Sequence, residues 1–144
     1  MFSKILVSLD ISKTDSWKRK TLMTAVSLAN QYQSELIVLS VIDVDIRGGW
    51  LQGGEGEQYL EEHCRMRRRQ LEHFCSENIS PSIETKTIAR AGHVYQNIID
   101  TAKELNVDLI VMGATQPKLT DYLLGTNASR VVQYSKCSTM IIRD

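Results

Sequence analysis

Four short apolar runs with β-branched residues punctuate the chain, at 5–9, 36–42, 109–112 and 139–142. They are near-continuous in hydrophobicity rather than alternating, as parallel strands read when helices cover both of their faces. A fifth and weaker segment, 82–89, does alternate. Ile83, Thr85, Thr87 and Ala89 share one parity there, which predicts a half-exposed edge strand. The intervening stretches switch to a helical period. Segment 16–33 carries Leu22, Ala25, Val26 and Ala29 as an i, i+3, i+4, i+7 stripe. Segment 56–78 carries Tyr59, Leu60, Cys64, Leu71, Phe74 and Cys75. Segment 94–105 carries Val94, Ile98, Ala102 and Leu105, and the shorter 127–134 holds Ala128, Val131 and Val132. The order is β-α-β-α-β-α-β-α-β. Such alternation predicts a mostly parallel sheet with right-handed crossovers and helices on both faces. One stretch breaks the rhythm: 43–55 holds Gly48, Gly49, Gly53 and Gly54 with Trp50 and Leu51, a long loop of the kind that is functional or disordered. No internal repeat, low-complexity segment or domain boundary interrupts the pattern.

In an open parallel sheet, ligands bind beyond the carboxyl ends of the strands, where the strand order reverses. That rule selects Ser8-Leu9-Asp10, Val41-Ile42-Asp43 and Met112-Gly113-Ala114-Thr115 as the tips that line one crevice. The segment from Gly113 to Asn127 adds chemistry. Gly113 follows an apolar strand directly, and Gly125-Thr126-Asn127-Ala128-Ser129 opens the next helix. Glycine at both ends permits positive φ and close approach of a ligand to the backbone. The free N–H groups of the helix start favour an anion, with Thr126, Asn127 and Ser129 as short polar helpers. Simple turn glycines and a Thr126 helix cap explain the same residues equally well. Asp10 has two readings as well: an acceptor for ribose hydroxyls, or a cap for the turn containing Ser12.

At 113–129 the sequence resembles the universal stress protein family, whose ATP-binding members carry G-x2-G-x9-G-[S/T] at this place. The opening Ile5-Leu6-Val7-Ser8-Leu9-Asp10, the block Leu39-Ser40-Val41-Ile42 and the ending Cys137-Ser138-Thr139-Met140-Ile141-Ile142-Arg143 look like the same family's strands, so the resemblance covers essentially the whole chain. The stretch from Tyr122 to Ala128 is closest to the bacterial F and G type members, which resemble ATP binders. The resemblance implies that Asp10 holds the ribose, that Val41 and Met112 contact adenine, and that Ser8 lines the pocket where the family often has proline. It implies that Gly113 lets the nucleotide pass close to the backbone, and that Gly125, Thr126 and Asn127 bind phosphates. Two departures stand out. Gln116 replaces the second glycine of the motif, and the gap from Gln116 to Gly125 is eight residues, one fewer than usual. Gln116 can bond a phosphate or ribose, but with Pro117 behind it the residue is biased to an extended conformation. The expected fold class is α/β: a single three-layer α/β/α, Rossmann-like domain over 1–144, with a five-stranded parallel sheet in the order 3-2-1-4-5.

Composition narrows the function classes. The chain has 144 residues, 42% of them hydrophobic and 24% charged, which suits one globular domain. Lys plus Arg and Asp plus Glu are 17 each, so nothing draws the chain to nucleic acid or an acidic membrane. The basic run Arg65, Arg67, Arg68, Arg69 has Glu61, Glu62 and Glu72 around it and reads as a solvated helix face. Cys64, Cys75 and Cys137 form neither a disulfide framework nor a zinc pattern. His63 and His73 lie about 15 Å apart along a helix, too far to share an ion. His93, beside Gly92 at a strand-to-helix turn, reads as a surface or cap residue, with approach to a phosphate as the alternative. No run approaches a membrane span and the first ten residues are too short for a signal peptide, so a cytoplasmic protein is expected.

P-loop, H-E-x-x-H and G-x-S-x-G motifs are absent, and no general base stands out. The expectation is a regulatory ATP-binding protein of the stress response, binding ATP with or without Mg2+, and not a metabolic enzyme. A slow ATPase or phosphotransfer protein and an interaction module with an empty crevice are the alternatives. The apolar last strand, 138–143, is expected to pair with its own copy in a two-fold dimer, as the resemblance also implies.

Overall fold

The computed structural model describes residues 1–12, 16–44, 54–114 and 124–143. Nine elements follow one another: β1 (Lys4–Ser8), α1 (Ser16–Tyr32), β2 (Glu35–Asp43), α2 (Glu55–Asn78), β3 (Thr85–Gly92), α3 (Val94–Glu104), β4 (Leu109–Gly113), α4 (Thr126–Tyr134) and β5 (Ser138–Ile142). The five strands form one sheet in the order β3-β2-β1-β4-β5, and every pairing is parallel. The expected alternation and strand order are both observed. The chain runs outward from β1 to β3, then crosses back to β4 on the other side of β1, so the order reverses between β1 and β4.

Strand parity divides the core into two layers. Ile5, Val7, Leu36, Val38, Leu109 and Val111 pack with Leu22, Ala25 and Ala29 of α1 and with Leu71 and Cys75 of α2. Leu6, Ile37, Leu39, Val41, Ile110 and Met112 pack with Ile98 and Ala102 of α3 and with Ala128 and Val131 of α4. Central strands covered on both sides need apolar residues at consecutive positions. This accounts for the unbroken runs in β1, β2 and β4, whose inner residues are buried. The outermost strands β3 and β5 are mostly half-buried.

Two expectations are corrected. β3 begins at Thr85 rather than at 82 and continues to Gly92, because its ladder with β2 runs from Leu36↔Thr85 to Asp43↔Gly92. Gly92 closes it at φ 131°, a backbone conformation that favours glycine. The apolar stripe of α2 is buried only in its second half. Leu71 and Cys75 are core residues, whereas Tyr59 is 52% exposed and stacks on the imidazole of His63 with ring centroids 4.8 Å apart. Of the basic run on α2, Arg65 and Arg68 form i, i+4 pairs with Glu61 and Glu72, as a solvated face would. Arg67 departs from it: Nη1 donates to Oγ of the buried Ser40 on β2, at 3.1 Å.

Burial first, and then the charge of Glu72, push the Cys75 thiol up from 9.0 to about 11. The folded state therefore favours the neutral thiol. Its contribution to stability is intact below pH 9 and is lost as pH rises from 9 through about 11. Urea unfolding midpoints measured across that window should fall more steeply in the wild type than in Cys75→Ala. Parallel curves would contradict the assignment.

Candidate functional site

The carboxyl ends of β2, β1 and β4 lie side by side, and parity decides which side chains share a face. Val41 and Met112 belong to the layer beneath α3 and α4. Ser8 has the parity of Leu6 in the same layer, and its register partner is Leu39, two residues before Val41. Ser8, Val41 and Met112 therefore stand on one face of the sheet at adjacent strand tips, the face on which α4 packs. Ser8 is half-buried and the other two are buried. Beyond β1, Leu9 N donates to Leu39 O at 2.9 Å, which keeps the backbone strand-like up to Asp10. Asp10 is exposed, and its Oδ1 accepts both the Ser12 N–H, at 3.1 Å, and the Ser12 hydroxyl. This Asx-type turn is the capping role anticipated for Asp10. On the far side, Gly113 ends β4 opposite Ile142, and Ala114 N donates to Ile142 O at 2.9 Å. Gln116 lies outside the described residues.

Helix α4 begins without a side-chain cap. Gly125 is its N-cap, buried, and makes no side-chain bond. The helical ladder opens with Ser129 N donating to Gly125 O at 2.9 Å. The N–H groups of Thr126, Asn127 and Ala128 precede that first bond, so the ladder leaves them without a partner. The positive end of the helix dipole reinforces their demand for an acceptor. The positive φ that glycine permits is not used at either position: Gly125 has φ −59° and ψ 160°, and the positive-φ glycines among the described residues are Gly54 and Gly92. Any residue adopts the Gly125 backbone. What glycine contributes there is the missing side chain at a buried position.

Thr126 is exposed, but Asn127 is already engaged. Its Oδ1 accepts the N–H of Tyr95, in the first turn of α3, at 3.2 Å. His93 occupies the N-cap position of α3 and makes no side-chain cap bond, so Asn127 caps α3 from the neighbouring helix. The guanidinium of Arg130 over the Tyr95 ring, 4.7 Å from its centroid, is a second tie between the two helix starts. Of the Asn127 side chain, only the Nδ2 end can serve an anion. A helix opening on Gly-His lacks a good cap of its own, and that deficit was the sequence signal for a cap supplied from elsewhere. Asn127→Ala is expected to destabilise the protein by about 1 kcal/mol, while Asn127→Asp keeps an acceptor of equal rank and unfolds close to wild type in urea.

The profile of the Universal stress protein family matches residues 1–143. The chain belongs to the universal stress protein family. Universal stress protein G of Salmonella typhimurium is 33% identical over 88 residues, a match that spans 60% of this chain and 59% of that relative. Universal stress protein Sll1654 of Synechocystis is 31% identical over 143 residues, 99% of this chain and 86% of that protein. Among solved structures, universal stress protein UspA from Lactobacillus plantarum is 27% identical with a TM-score of 0.71, covering 98% of this chain and 97% of that one. A universal stress protein in complex with cAMP has the same fold, with a TM-score of 0.63 at 15% identity, covering 99% of this chain and 97% of that one.

Among the described residues, no group of three His, Cys, Asp or Glu side chains is placed to hold a metal ion, and no helix is long and apolar enough to cross a membrane.

Proposed function

We propose that this universal stress protein is a regulatory ATP-binding protein, which takes the nucleotide at the β1/β4 switch point and acts through protein partners in the stress response of a cytoplasm. The observation that carries this reading is the start of α4. It is a helix end with a glycine cap and, among the described residues, no side-chain acceptor, on the sheet face that also presents Ser8, Val41 and Met112. An anion is the natural partner for such a helix end, and the buried Val41 and Met112 are suited to a flat apolar base. Asp10 would hold the ribose through its carboxylate. Ser8 would line the pocket, and Gly113 would let the ligand pass close to β4. Gly125, Thr126 and the Nδ2 group of Asn127 would take phosphates, with Gln116 as a further polar contact and Mg2+ as an accompanying ion. The family member in complex with cAMP supports a nucleotide as the class of ligand.

The same reading includes a homodimer through β5, the outermost strand on its side of the sheet, with the exposed Val132 and Tyr134 of α4 close to it in sequence. Sedimentation at increasing concentration tests that part, and a monomer throughout would contradict it.

The test of the ligand is an equilibrium titration of the purified, nucleotide-stripped protein with ATP, ADP, AMP and cAMP. Saturable binding that strengthens with phosphate number is expected. Binding of none of the four would overturn the proposal. Multiple turnover of ATP with Mg2+, lost in Asp10→Ala, would convert the reading to that of a slow ATPase.

A further inference from the structure

The inward stripe of α2 carries a charge. Leu60, Cys64, Arg67, Leu71 and Cys75 follow one another at spacings of three and four, so they share one helix face. Leu71 and Cys75 are core residues, and the first three are half-buried. The strand beneath is interrupted in a matching way. Ser40 is 0% exposed within the apolar run of β2, and it has the parity of Leu36 and Val38, which pack under α1 and α2. The bond from Arg67 Nη1 to Ser40 Oγ joins the two polar exceptions. It lies on the opposite face of the sheet from Val41 and Met112.

Beside this contact is a cavity of about 550 Å³, within the range of about 300–1,000 Å³ that small-molecule sites occupy. Among the described residues it is lined by Ile11 and Ser12, which follow β1, and by His63, Met66, Arg67 and Gln70 of α2.

The uncommitted donors select the ligand. Arg65, Arg68 and Arg90 each have a carboxylate partner, whereas Arg67 has none among the described residues. Drawing a guanidinium part-way out of water without a counter-charge is unfavourable. With Nη1 turned to Ser40, the edge formed by Nε–H and Nη2–H is left over. Its two parallel donors match the two oxygens of a carboxylate. A phosphate suits the cavity less well. Ser12 gives both its N–H and its hydroxyl to Asp10 Oδ1, so it has no donor to spare for a third oxygen. The Asp10 carboxylate behind it also repels a second negative charge. Met66, 56% exposed, and Ile11 offer apolar surface beside the charge.

We propose that this cavity is a second binding site, for a small organic monocarboxylate. Arg67 takes the carboxylate, Ile11 and Met66 pack against the apolar body, and Gln70 adds a polar contact at the rim. The site does not depend on the nucleotide reading, because it lies on the other face of the sheet.

The test is a titration of the full chain at constant ionic strength with pentanoate and benzoate, followed by NMR of the Arg67 Nε–H and the Met66 methyl group. Both signals should move and saturate together. Pentanamide, which has the same body without the charge, should bind at least about ten-fold more weakly, and inorganic phosphate should also bind more weakly than pentanoate. Arg67→Gln should lose the response, but it also removes the partner of Ser40. Gln70→Glu, at an exposed position one turn along the helix, leaves that contact in place and sets a carboxylate beside Arg67. It should weaken pentanoate at least about ten-fold in protein that remains folded by circular dichroism. The proposal is overturned if neither carboxylate saturates these signals, if pentanamide binds as tightly as pentanoate, if Gln70→Glu binds as wild type does, or if phosphate binds more tightly than both carboxylates, which would make an inorganic anion the occupant.

Discussion

Gly125→Val is expected to weaken ATP binding by at least about ten-fold, equivalent to about 1.4 kcal/mol. The backbone itself does not resist the change, because φ −59° and ψ 160° suit a valine. The obstacle is space and access. Gly125 is buried at the head of α4, and a branched side chain there shields the N–H groups of Thr126, Asn127 and Ala128 from a phosphate. Overpacking alone costs about 1–3 kcal/mol of stability, so affinity is read by calorimetry on protein shown to be folded by circular dichroism. Undiminished affinity in the folded variant would move the phosphates away from this helix start.

Leu71→Ala and Tyr59→Ala should differ sharply, although both residues belong to the apolar stripe that the sequence predicts for α2. Leu71 is 0% exposed and sits in the layer between α2 and the sheet. Its truncation leaves a cavity and is expected to cost about 2–5 kcal/mol. For a chain of this size the melting temperature falls by about 2–4 °C for each kcal/mol. Tyr59, on the half of the helix that is not in the core, is expected to change stability by no more than about 0.5 kcal/mol. Equal losses in a thermal melt would mean that the whole length of α2 is packed.

This contrast marks where sequence reasoning reached its limit. The strands were legible because a central parallel strand has to be apolar on both faces, and the runs in β1, β2 and β4 cannot be mistaken for amphipathic surface. An amphipathic period shows that a helix has an apolar side, but not how much of that side meets a partner, so Tyr59 and Leu71 looked alike. The strand tips Ser8, Val41 and Met112 could be grouped from the sheet rule and the period of two. The tie between Asn127 and Tyr95 joins residues 32 positions apart and leaves no periodic trace. The glycine at 125 was legible as a site of close approach, whereas its backbone angles were not, because a missing Cβ permits positive φ without requiring it.

The central claim is that the glycine-capped start of α4 receives the phosphates of a nucleotide. The most direct measurement is the amide NMR spectrum of the stripped protein during titration with ATP. The account predicts that the N–H signals of Thr126, Asn127 and Ala128 move downfield and saturate together with those of Ser8 and Met112. Saturable ATP binding that leaves those three helix amides unmoved would contradict it.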